Sequence, residues 1–170
     1  DINGNHVKGF PVNLAAYATG GLSVFDYDKS HNYRILVPTE GGKVLNFDKQ
    51  GKIVTGWEFG QASSDVSSPI VHYVIGNKDY ICFFDNGGKI YALDRRGRLR
   101  YQAKGIVPGT YDNAKMIPGR SISTSRIVYT DSVGNLSEVR FDGNASVLKD
   151  QTKPFIGGKT IDYDNDGFHD

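Results

Sequence analysis

Cysteine is almost missing from this 170-residue chain, where Cys82 stands alone. That excludes an intrachain disulfide framework and any multi-cysteine zinc site. Net charge is almost missing too: 20 Lys and Arg face 19 Asp and Glu, a formal +1. A nucleic-acid binder normally carries a basic excess on one face, so no nucleic-acid partner is expected. No apolar run reaches the roughly 18 residues that a membrane-spanning helix needs. The first residues also lack the basic-then-apolar layout of a signal peptide, although one removed upstream would leave no trace. Proline is sparse at 6 while glycine reaches 21, a balance suited to many tight turns rather than to disorder. Helical periodicity is likewise lacking: no stretch sustains apolar residues at i, i+3, i+4 and i+7, and residues 13–18 are the one helix-like fragment.

What is present is a repeat. Ile35, Ile81 and Ile127 are 46 residues apart, as are Phe25, Val71 and Ile117. Two glycine columns keep the same spacing, Gly42 with Gly88 and Gly134, and Gly51 with Gly97 and Gly143. Tyr27 matches Tyr73, and Ile53 matches Leu99, at the same offset. Several columns running in parallel at one period mark an internal repeat.

Each unit reads as four short strands. In the second, residues 69–74, 79–84, 89–93 and 98–101 are rich in β-branched and aromatic side chains, and Gly-containing turns separate them. Four antiparallel strands repeated every 40 to 50 residues or so describe an all-β fold, a β-propeller built of blades. The units span roughly 11–57, 58–104 and 105–150, with flanking strands expected in 1–10 and 151–170. In the third unit the turn Asp moves to Asp142, directly before Gly143, which predicts a tighter hairpin and a longer third strand. Propellers close with about four to eight blades, so this partial propeller is expected to be an excerpt of a longer chain or to be completed by a second copy.

Gly42-Lys-Val-Leu-Asn-Phe-Asp-Lys-Gln-Gly51 and Gly88-Lys-Ile-Tyr-Ala-Leu-Asp-Arg-Arg-Gly97 resemble the strand–turn core of the pyrroloquinoline-quinone-like propeller repeats. Ser67-Ser-Pro-Ile70 is similar to the segment leading into a blade in the same superfamily. The quinone enzymes carry a Trp-bearing docking motif in most blades, and here Trp57 is the only Trp, so the resemblance implies no quinone. It implies instead a non-catalytic interaction scaffold in a bacterial periplasm, cell envelope or secreted protein. The tail, Asp162-Tyr-Asp-Asn-Asp-Gly-Phe-His-Asp170, resembles the calcium loop of FG-GAP repeats in integrin-type propellers.

The tail carries the sharpest chemistry. Carboxylates stand at positions 1, 3, 5 and 9 of the nonapeptide, with Gly167 at position 6. Ca2+ takes six to eight oxygens at about 2.3–2.6 Å, and alternate side chains of a tight loop converge on one point. Asp162, Asp164, Asp166 and Asp170 would supply carboxylate oxygens and Phe168 its carbonyl, making a structural calcium site. Asp26-Tyr-Asp-Lys-Ser-His-Asn-Tyr-Arg34 aligns with this loop but has Ser30 at position 5, His31 at 6 and Arg34 at 9. A cation at the closing position repels a metal, so this copy is expected to keep only the turn.

The remaining polar residues read as architecture. His6, His31, His72 and His169 lack metal-ligand spacing and are expected on the surface or in turns. Cys82 is expected as a buried thiol, and Ser63, Ser64, Ser67 and Ser68 as a polar connection between units. Arg95, Arg96, Arg98 and Arg100 form a basic cluster on a turn and an outer strand, where charge guards a sheet edge. The function expected is therefore a binding domain with a protein or glycan partner, no catalytic residues and no cofactor besides Ca2+. The alternative is a polysaccharide hydrolase or lyase with acids on the propeller axis, for which Asp65 and Asp112 are the candidates.

Overall fold

Eleven strands and no helix form among the residues that the computed structural model describes, which are 2–108, 114–131 and 134–149. They build three antiparallel sheets, each a simple meander. The first holds β1 (Ser23–Phe25), β2 (Arg34–Thr39) and β3 (Lys43–Asp48). The middle sheet holds β4 (Val71–Ile75), β5 (Lys78–Phe84), β6 (Ile90–Leu93) and β7 (Leu99–Tyr101). The third holds β8 (Lys115–Ile117), β9 (Arg126–Thr130), β10 (Leu136–Arg140) and β11 (Ala145–Lys149). The Ile column of the sequence thus falls on the second strand of every sheet.

The glycine columns have a backbone cause. Gly42, Gly88 and Gly134 have φ of 70°, 82° and 92°, and Gly51, Gly97 and Gly143 have 72°, 79° and 102°. All six lie in the left-handed region, where a Cβ is strained. The first column has a second duty: Gly42 O accepts Ala62 N at 2.7 Å and Gly88 O accepts Val107 N at 2.8 Å. The connector to the next unit therefore crosses directly over this glycine, and a Cβ there would strike the carbonyl of Ala62 or Val107.

Side-chain alternation stacks the sheets. Along β5, Tyr80, Cys82 and Phe84 face the third sheet, where they meet Ile127, Tyr129, Val139 and Phe141. Ile81 and Phe83 face the first sheet and meet Leu36 and Val44. The middle sheet is thus buried on both faces, and Phe83 is fully buried in a stacked pair with Tyr91, ring centroids 5.0 Å apart.

Three sequence expectations give way to the geometry. The turn at Asp142 is not tighter: Gly143 N donates to Arg140 O at 3.0 Å and Arg140 N to Asn144 O at 2.7 Å. Those bonds repeat the Gly97-to-Asp94 and Asp94-to-Arg98 bonds one unit earlier, so β10 is not extended and the glycine, not the Asp, sets the turn. The first sheet has three strands because its fourth is reduced to one bridge, Phe47 to Ile53. That bridge is made by Asp48 N to Lys52 O at 2.8 Å and Val54 N to Asn46 O at 2.9 Å, and beyond it the Trp57 indole Nε1 donates to Val44 O at 2.8 Å, where further strand pairing would otherwise stand. Residues 2–10 form turns rather than a flanking strand, since Gly4 and Gly9 have left-handed φ of 80° and 90°. Residues 151–170, including the second expected flanking strand, lie outside the described residues.

Two glycine variants separate the causes. Gly41→Ala meets a left-handed φ of 77° in open space, whereas Gly88→Ala adds the collision with the connector. Gly41→Ala is expected to cost roughly 1–3 kcal/mol from backbone strain, and Gly88→Ala distinctly more, as read from urea melts of both proteins.

Candidate functional site

The expected calcium ligands, Asp162, Asp164, Asp166, Phe168 and Asp170, lie outside the described residues, as do His169 and Asp112. Among the described residues no group of three or more His, Cys, Asp or Glu could hold a metal ion. In the related loop, Asp26 closes the turn with protein donors: its carboxylate accepts Ser30 N at 3.0 Å and His31 N at 2.9 Å. His31, aligned with Gly167, takes φ 59°, the left-handed conformation that a glycine would adopt without strain.

Asp65, expected as an axial acid, is a turn cap. Its Oδ1 accepts Gly41 N at 2.8 Å and Gly42 N at 3.0 Å, and its carbonyl accepts Asn86 N at 2.8 Å. Asp85 plays the corresponding part for the same connector. It accepts Ser63 N and Ser64 N from one side, and Lys89 N and the Tyr91 hydroxyl from the other. Ser68 Oγ donates to Phe84 O at 2.7 Å and Ser67 Oγ to Asn86 Oδ1 at 2.6 Å, so the serine run does connect the units. Cys82 is fully buried, and burial pushes its thiol far above the usual range, which suits an inert core residue.

His72 is not a surface or turn residue. It lies in β4, and its Nε2–H donates to Asp79 Oδ1 at 2.7 Å with the side chain 16% exposed. Asp79 Oδ2 lies 2.8 Å from Arg95 Nε, an ion pair off the N–H direction. Arg95 Nη1 then donates to Asp28 Oδ1 at 2.7 Å, and the guanidinium covers the Tyr27 ring at 4.8 Å. Tyr27 meets the His72 ring edge-on at 4.8 Å. The chain His72–Asp79–Arg95–Asp28 therefore ties the middle sheet to the 26–33 loop of the first. Burial raises the Asp79 pKa, but Arg95 and His72, both in direct contact with the carboxylate, outweigh it and hold the carboxyl below the usual range.

The repeat also explains an orphan in this seam. Tyr73 donates its hydroxyl to Met116 O at 2.7 Å, and burial pushes its phenol up to about 12. One period earlier, the equivalent carbonyl of Ile70 accepts Ser23 Oγ at 2.7 Å instead. Tyr27 Oη is left buried without a partner among the described residues.

Beside the seam opens a polar cleft of about 450 Å³, lined by the 26–34 segment, residues 54–58 and the β6–β7 turn. Arg34, Arg95 and Arg96 line it together with Asp28 and Glu58. Sequence reading placed Arg95 and Arg96 in a basic cluster with Arg98 and Arg100, but the fold divides that cluster. Arg98 turns back to Asp94 at 2.9 Å, and Arg100 stands over Tyr80 at 5.7 Å. Arg34 joins Arg95 and Arg96 across the sheets, a grouping with no signature in the linear spacing.

No protein-family model matches the chain, and no curated protein matches it.

Because the folded-state pKa of Asp79 is depressed, its contribution to stability is present above the unfolded value near 4 and is lost as pH falls through the folded value. Asp79→Asn is expected to cost about 1–3 kcal/mol at neutral pH. In paired denaturant melts across pH 7 to pH 2, or roughly that window, the gap from the parent protein closes on the acid side.

Proposed function

We propose that this chain is a sector of a β-propeller that serves as a non-catalytic scaffold or interaction domain of a larger bacterial envelope or secreted protein. The observation that carries the reading is the stack of three meander sheets at one 46-residue period, with the middle sheet buried on both faces. Blades of a propeller pack face to face in this way, and a ring needs about four to eight of them. The carboxylates of Asp48, Asp65, Asp85 and Asp94 support a scaffold role, since each accepts main-chain N–H groups at a turn. The surfaces left for recognition are the loops at the two ends of the sheets, where partners of repeat proteins commonly bind.

Calcium belongs to the same proposal. The donor set Asp162, Asp164, Asp166, Phe168 and Asp170 suits a hard cation in residue type and spacing, and Ca2+ there would offset half the charge of four carboxylates close in sequence. Its role would be to brace the loop.

Light scattering tests both parts. With calcium present, the protein is expected at twice 18.7 kDa or more, because outer sheet faces of a ring sector seek a partner. Chelator is expected to lower the melting temperature, and Asp164→Ala to remove that sensitivity. A sharply monomeric, cooperatively melting species would sink the ring-sector reading, and a melt indifferent to chelator would remove calcium from it.

A further inference from the structure

We propose that the cleft between the first and middle sheets binds a carboxylate-bearing ligand of monosaccharide size through Arg34 and Arg96. Its volume, about 450 Å³, lies within the range of small-molecule sites. The proposal is independent of ring closure, because every group it uses belongs to these two sheets and their loops.

The three arginines are not equivalent. Arg95 is committed to Asp28 and Asp79 and holds the seam. Among the described residues Arg34 donates only from Nη1, to the carbonyls of Asn32 at 3.3 Å and Tyr33 at 3.1 Å, which leaves Nε and Nη2. The Arg96 side chain has no partner among the described residues, yet its backbone is pinned on both sides. Arg96 N donates to Asp94 Oδ1 at 2.8 Å, and Arg96 O accepts Glu58 N at 2.7 Å from the 54–58 segment. The backbone fixes where the side chain starts, and the planar donor fork of its unspent guanidinium matches the two oxygens of a carboxylate.

Glu58 decides which anion fits. Glu58 also lines the cleft, and its carboxylate has no partner among the described residues. A negative charge there repels a dianion such as phosphate more than a monoanion, and it can accept hydrogen bonds from sugar hydroxyls. One carboxylate with neighbouring hydroxyls, as in a uronic acid, satisfies both ends.

The protein carries its own reporter, because Trp57 is its only tryptophan and lines the same cleft. Titration with D-glucuronate is expected to give a saturable change in tryptophan emission, while glucose at equal concentration gives none. Arg96→Ala is expected to weaken glucuronate about tenfold or more, with no change in melting temperature, since that side chain holds nothing in the fold. Glu58→Gln is expected to raise phosphate affinity relative to glucuronate. The proposal is overturned by the absence of saturable binding, by equal glucuronate affinity in Arg96→Ala, or by tighter binding of inorganic phosphate than of glucuronate to the unmodified protein.

Discussion

Burial of the middle sheet on both faces is the constraint on which the rest of this structure depends. In β5, Tyr80, Cys82 and Phe84 face one way and Ile81 and Phe83 the other, and all are in the core. A strand that is apolar on both faces does not report its own register, because a one-residue slip would bury apolar side chains either way. Something else must hold the register, and the turns do. The β4–β5 hairpin closes on Gly76 and Asn77, with φ of 56° and 60°, the primed turn that matches strand twist. The β5–β6 turn is held by Asp85, and the β6–β7 turn by Asp94, whose Oδ1 accepts the N–H groups of Arg96 and Arg98.

The carboxylates therefore do mechanical work, and the electrostatics agree. Burial alone would raise the pKa of Asp79 and Asp94, yet both fall because hydrogen bonds to the charged form outweigh desolvation. Two kinds of tie result. Asp65 and Asp85 fasten the 62–68 connector to the turns of consecutive sheets, while Asp79 and Arg95 fasten the middle sheet to the 26–33 loop. The cleft opens where the second kind of tie stops, and so Arg34, Arg96 and Glu58 remain with unspent polar groups at one place.

Much of the architecture was legible in the sequence. The glycine columns could be seen because a left-handed φ tolerates little else, and the strand columns because two-sided burial selects Ile, Val, Phe and Tyr at set positions. The Asp142 turn misled because the Asp caps Asn144 N at 3.0 Å without shortening the turn, whose bonds keep the register that Gly143 sets. The truncated first sheet was hidden because the Trp57 indole, a side chain, satisfies a carbonyl that backbone pairing satisfies elsewhere.

The candidate site was scarcely legible at all. His72 and Asp79 are seven residues apart and meet across a hairpin, whereas Arg95 reaches Asp28 from 67 residues away. The sequence by itself determined the period, the all-β class and the positions of the turns, because these follow from local sterics and from side-chain alternation within each unit. Only the tertiary structure decided which charges are spent and which are left over, since an arginine's partner depends on which loop the stacked sheets bring beside it.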